Sequence, residues 1–298
     1  AVANSSDSHP CMRARPRSSS FSAFPTNPPM HVGFLIAASI ASSVALIMTN
    51  KAVMRVHGFN YVLSLTTAHF AVTYVALSVA AGMGVFAHKH VPPSRAWVMA
   101  AAGVASIVFM NFSLSYNSVG FYQVTKLMCI PCIVAMQQLQ GKVFSTRVKT
   151  TLVVVLLGVG IATVTDVELN TAGFLFSIVA VLSTAQFQIW QGDKQREFGL
   201  NAIQMTLALA PYQAALTGTA AFFFEIIATP SVLDYQFTLP SGGLVLLSCF
   251  LAVAVNLCSF GLIGKTSAVT YQVVGHAKTC LILIFGFLLY PVAATKGQ

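Results

Sequence analysis

The chain has 298 residues, 56% of them hydrophobic and 8% charged, with sixteen Lys and Arg against seven Asp and Glu. A soluble domain carries roughly 25% charged residues, so a water-soluble globule of this length is excluded, and the mean hydropathy of +0.77 agrees. The formal charge of +9 does not point to nucleic acid, because the basic residues stand singly between apolar runs instead of forming a stripe.

Lipid is therefore the solvent for most of the chain. In lipid only helices and closed barrels satisfy their backbone groups, and barrel strands alternate over segments of about ten residues. The apolar runs here are long and unbroken, which predicts an all-α membrane protein.

Residues 1–30 differ in kind. Arg13, Arg15 and Arg17 are followed by Ser18, Ser19 and Ser20 and then by Pro25, Pro28 and Pro29, a composition that predicts a disordered basic tail. Its Arg- and Ser-rich, acid-poor character also resembles an organelle transit peptide. Hydropathy then gives nine segments long enough to cross the bilayer: 32–50, 61–86, 96–117, 119–140, 149–165, 170–191, 200–227, 243–264 and 267–290. Between them stand short connections with turn signals at His57-Gly58, Pro92-Pro93, Asn170, Gly199 and Pro240-Ser241-Gly242. Eleven Lys and Arg, Lys89, Lys142 and Lys194 among them, fall on the side of the N-terminus, and only Lys51, Arg55 and Lys296 on the other. That imbalance predicts a cytosolic N-terminus.

The third span carries Asn111, Ser115 and Ser118 at i, i+4, i+7, a polar stripe that serves interhelical contacts as readily as a ligand. At the start of the fourth span Ser118-Val119-Gly120-Phe121-Tyr122-Gln123-Val124 matches Ser267-Ala268-Val269-Thr270-Tyr271-Gln272-Val273, which opens the ninth span 149 residues later. An intramembrane lysine follows each copy, Lys126 and Lys278. A repeat of this length gives five helices per copy. An odd number forces the second copy to be inverted, the arrangement in which transporters place substrate at the midplane. The expected organisation is a first repeat over 31–168 and a second over 169–298, with about nine of ten helices present and a tenth expected to begin where the sequence stops.

A lysine at the bilayer centre costs roughly 2.5–3.5 kcal/mol on insertion scales and seeks a wet cavity or an anion. Asp166, Glu168 and Glu225 stand at span ends, so the counter-charge is expected to be the substrate. Tyr122 lies one turn from Lys126; Tyr271, Gly275 and Lys278 share a face at i, i+4, i+7; Thr279 adds a hydroxyl. Cys129-x-x-Cys132 lies inside an apolar helix with Pro131 and reads as buried free thiols. His88-Lys89-His90 lacks further ligands for a metal. Gly275-His276-Ala277-Lys278-Thr279 lacks the upstream glycine and strand of a phosphate loop. Neither a nucleophilic triad nor a carboxylate pair occurs in the spans, so the sequence predicts no catalytic residue, cofactor or metal.

Asn50-Lys51, the run from Ser118 to Gln123 with Lys126, the segment Gly158-Val159-Gly160-Ile161-Ala162-Thr163-Val164-Thr165-Asp166, and Tyr271-Gln272-Val273-Val274-Gly275-His276-Ala277-Lys278-Thr279 together resemble the nucleotide-sugar/triose-phosphate translocator family over residues 32 to 290. The Lys278-Thr279 pair looks most like the plant UDP-rhamnose/UDP-galactose and UDP-xylose branch; in plastid phosphate translocators the pair is Lys-Arg. The resemblance implies a ten-helix drug/metabolite-transporter fold that exchanges a UDP-sugar for UMP across the Golgi membrane. Lys126 and Lys278 would then hold phosphates, Thr279, Tyr122 and Tyr271 would supply hydroxyls, and Gln123, Gln272 and Asn111 would bond the nucleotide or sugar. A homodimer is compatible with such a fold. Two alternatives stay open: a translocator of the plastid inner envelope exchanging sugar phosphate for phosphate, and a non-transporting membrane scaffold or sensor.

Overall fold

The computed structural model describes residues 31–117, 119–165, 170–227 and 229–277. Among them the regular structure is helical: α1 (Val32–Arg55), α2 (Val62–Gly82), α3 (Pro93–Tyr116), α4 (Val119–Leu139), α5 (Thr146–Thr165), α6 (Thr171–Glu197), α7 (Ala202–Ala221) and α8 (Leu239–Lys265), then α9 over 268–277. Six of these segments are long and apolar enough to cross a membrane among the described residues: α1, α2, α3, α6, α8, and α7 with the turn that follows it. The protein is thus a multi-pass, all-helical membrane protein.

Local chemistry sets the ends. Gly58 at φ +70° and Gly199 at φ +57° occupy the left-handed region at turns after α1 and α6, where a Cβ would be strained. The Asn170 side chain accepts from the Gly173 amide at 3.1 Å to open α6. Asn201 and Gln204 exchange bonds of 2.9 and 3.0 Å in a capping box on α7.

Several boundaries differ from the hydropathy reading. α1 runs past Asn50 to Arg55 and α6 past residue 191 to Glu197, because charged side chains at a helix end reach the interface while the backbone stays helical. Pro240-Ser241-Gly242, expected to be a turn, forms the first turn of α8: the Ser241 hydroxyl and Thr238 make a capping box, and Pro240 stands where its missing N–H is harmless. α7 continues as a π-helical turn, Phe222–Ile226. That turn places the Glu225 carboxylate against the start of α2, where it accepts from the amides of Leu63 and Ser64 at 2.8 and 2.7 Å. These amides belong to the unpartnered first turn of a helix, and a negative charge there also suits the helix dipole.

The main helix pairs are α3 with α6, α1 with α8 and α2 with α7, followed by α4 with α6, α2 with α8 and α3 with α7. Polar staples cross these seams. The Ser177 hydroxyl donates to Gly173 O at 2.8 Å, so the Ser113 hydroxyl 2.6 Å away is the donor between α3 and α6. Ser248 likewise donates to Val245 O at 2.7 Å, which makes His69 Nε2–H the donor in its 3.0 Å bond to Ser248 and fixes the tautomer.

Candidate functional site

Lys126 sits seven residues into α4, about 10 Å from its start at 1.5 Å per residue, within a helix of about 31 Å. Its side chain is half-buried, and its Nζ lies 4.4 Å from the centroid of the Tyr122 ring, one turn earlier. The ammonium is thus held by a ring face. The ion pairs among the described residues, Lys142–Asp193 and Lys194–Glu197, do not involve it.

From α9 the ring of His276 comes within electrostatic reach of Lys126, and its Nε2 is buried without a hydrogen-bond partner among the described residues. Tyr271, about one turn before, shares a 3.1 Å bond between its hydroxyl and Ser259 Oγ, which fixes α9 against α8. Gln272 is half-buried on the same helix, and Asn111 is half-buried on α3, whose main partner is α6. Lys278 and Thr279 lie outside the described residues, as does the side chain of Gln123. The structure therefore brings Tyr122 and Lys126 together, sets His276 within electrostatic reach of Lys126, and anchors Tyr271 beside α8.

Toward the end of the bundle that carries Lys89, Lys142, Arg196 and Lys265, here called the basic end, the neighbourhood turns apolar. Ile133 of α4, Ala185 and Ile189 of α6 and Ala268 of α9 are 0, 0, 1 and 3% exposed and pack with Cys132, Met136 and Val269. This cluster, here called the plug, packs α4, α6 and the start of α9 together. Beyond it opens a cavity of about 350 Å³, lined among others by Gln137, Lys142, Gln188, Asp193, Arg196 and Ser267.

The sequence reading missed His276 as a group within electrostatic reach of Lys126 and missed the buried polar face of α6. Ser177, Thr184, Gln188, Gln191 and Gln195 are all buried, and their spacings of three, four and seven residues place them on one face. That period was the available signal; it was masked by the apolar residues between. The thiols of Cys129 and Cys132 are free, the first buried and the second half-buried. Lys89 Nζ bonds the Gly199 carbonyl, joining the 83–92 loop to the turn after α6. Among the described residues no group of three or more His, Cys, Asp and Glu gathers as a metal site would require.

Residues 30–294 match the Triose-phosphate Transporter family. The chain is 41% identical over 256 residues to UDP-xylose transporter 2 of Arabidopsis thaliana, a match covering 85% of this chain and 72% of that protein. It is 40% identical over 273 residues to UDP-rhamnose/UDP-galactose transporter 3 of the same plant, covering 87% and 75%. A more distant relative, nucleotide-sugar uncharacterized transporter 2 of Arabidopsis thaliana, is 30% identical over 257 residues, covering 83% and 63%. With a family match along nearly the whole chain, the protein belongs to the Triose-phosphate Transporter family.

Proposed function

We propose that the protein is a Golgi nucleotide-sugar transporter that exchanges a UDP-sugar for UMP by alternating access, with its N-terminus in the cytosol. The observation that carries this reading is Lys126, a half-buried cation of α4 whose Nζ lies over the Tyr122 ring and within electrostatic reach of His276. A phosphate supplies what that position lacks, and charge-assisted bonds to it are the strong kind. Lys278 would provide the second charge, Tyr122, Tyr271 and Thr279 the hydroxyls, and Gln123, Gln272 and Asn111 the contacts to base or sugar. The names of the relatives, transporters of UDP-xylose and of UDP-rhamnose and UDP-galactose, favour a UDP-linked cargo.

The helix pairings support an inverted repeat. Superposing α1–α5 on the following five helices turns the α3–α6 pair into α8–α1, α2–α8 into α7–α3, and α2–α7 into itself; all of these pairs are present. Rocking of such repeats about a midplane site is the usual route of alternating access. The apolar plug of Ile133, Ala185, Ile189 and Ala268 would be the closed gate toward the basic end, and Pro131 between Lys126 and Ile133 gives α4 a place to bend.

Counterflow uptake with full-length protein in proteoliposomes tests the class. Vesicles preloaded with UMP are offered UDP-sugars, GDP-mannose, triose phosphate and phosphate. Uptake of a UDP-sugar that depends on internal UMP is the expected result. Exchange of triose phosphate for phosphate would place the protein in the plastid envelope, the reading that the Arg- and Ser-rich tail favours.

A further inference from the structure

We propose that a groove between α2 and α7 at the basic end binds an anionic phospholipid, holding its headgroup phosphate and the upper part of an acyl chain. The groove has a volume of about 340 Å³. Tyr74, Ser78 and Ala81 share one face of α2 at i, i+4, i+7 and form one wall. Ala208, Pro211 and Tyr212 of α7 form the other, and the short side chains at Ser78, Ala81 and Ala208 keep the space open. The loop that carries His88, Lys89 and His90 forms the outer rim. Tyr74 stands eight residues before the end of α2 and Tyr212 ten residues after the start of α7, so the lining extends about 12–15 Å along the helices.

The surroundings place this groove on the lipid side of the bundle. Val75 and Val79 on α2 and Met83 just after it are exposed apolar side chains, a stripe that lipid covers in a multi-pass membrane protein. On α3 the exposed Trp97 packs edge-on against Tyr212, with ring centroids 5.1 Å apart. Trp and Tyr rings gather where headgroups meet acyl chains, so Trp97 marks that boundary. The rim of His88, Lys89 and His90 precedes α3 and lies outside the boundary; Tyr74, well inside α2, lies within it.

The two ends of the groove call for different chemistry. At the rim Lys89 spends one of its three ammonium donors on the Gly199 carbonyl, and the exposed His88 and His90 add ring N–H donors. None of the lining residues is acidic. A phosphate diester answers this rim with charge-assisted bonds. Further in, Ala81, Leu207, Ala208 and Pro211 carry no polar side chain and suit hydrocarbon, while the hydroxyls of Tyr74, Ser78 and Tyr212 suit glycerol esters. A free phosphate would leave the apolar part empty. A zwitterionic lipid would bring a cation of its own beside Lys89. Basic pockets between spanning helices are a recognised form of site for anionic headgroups, and a lipid seated here would tie the 83–92 loop to α2 and α7.

The test reads lipid binding and is independent of the cargo. Full-length protein in neutral detergent is melted with phosphatidylinositol, phosphatidylcholine, soluble glycerophosphoinositol or inorganic phosphate. Phosphatidylinositol is expected to raise the melting temperature saturably, by several degrees at large excess over its Kd, and the other three to give much smaller shifts. Lys89→Gln is expected to raise the half-saturating phosphatidylinositol about tenfold, the loss of one charge-assisted contact. Ala81→Leu, which fills the groove and leaves the charge, is expected to act in the same direction. Arg147→Gln removes a cation at the start of α5, away from the groove, and is expected to change nothing. An equal shift with phosphatidylcholine would reduce the effect to general solvation by lipid, and an equal shift with glycerophosphoinositol or phosphate would make the rim a soluble-anion site; either overturns the proposal. So does half-saturation that both groove variants leave unchanged, or that Arg147→Gln moves as much. If Lys89→Gln does not fold, Ala81→Leu alone decides.

Discussion

The end of the bundle formed by the α1–α2 and α7–α8 links is held by backbone and aromatic contacts, whereas the basic end is held by long charged and polar side chains, one ion pair and several bonds to carbonyls, around a cavity. At the first end Phe59 packs edge-on to Tyr61 and Tyr235, with centroids 5.4 and 5.0 Å away. The hydroxyls of Tyr61 and Tyr235 donate across the links to the carbonyls of Ser231 and His57 at 2.8 and 2.9 Å. Glu225 closes the first turn of α2. At the second end the links are the Lys142–Asp193 pair, Lys89 on the Gly199 carbonyl and Arg196 on the Thr266 carbonyl. Contacts of the first kind are lost only by repacking. Exposed ion pairs exchange readily with other anions.

That contrast can be broken by substitution. The largest stability effect is expected at the aromatic end: Glu225→Ala leaves two helix amides without their acceptor, at about 1–3 kcal/mol each where they are shielded from water, and should lower the melting temperature in detergent by several degrees. Unchanged melting would show that water replaces the carboxylate. A middle effect is expected where α6 crosses α8. A Cβ on Gly264 would come within 2.2 Å of Gln195 Oε1, so Gly264→Ala must push that amide aside and lose its 3.1 Å bond to the Phe260 carbonyl. The cost is about 1–2 kcal/mol, and Gln195→Ala in the same background should then add almost nothing. Smallest is Asp193→Asn, which removes an exposed pair and should shift stability by less than about 1 kcal/mol. A large loss there would make the pair structural and weaken the contrast between the two ends.

Much of the helical frame was legible in the sequence, because an apolar run that must cross lipid has one backbone solution. The ends were less so. Hydropathy stops at the first charged residue, but α1 continues through Lys51 to Arg55, and the Thr238–Ser241 capping box turned an apparent Pro-Ser-Gly loop into helix. Tyr122 and Lys126 were legible from spacing alone, since one helical turn decides whether the two meet. The electrostatic reach of His276 to Lys126 and the cavity over the plug were not, because they depend on how α4, α6 and α9 cross. Glu225 looked like a residue at a span end; only the π-helical turn aims it at α2.

The most direct test concerns Lys126 itself. Counterflow of UDP-sugar against UMP is compared between wild-type protein and Lys126→Ala, with membrane insertion and melting measured for both. Insertion and melting close to wild type, with uptake reduced to the level of empty vesicles, is the predicted result. Wild-type uptake in the alanine variant would contradict the account and remove the lysine from the transport path.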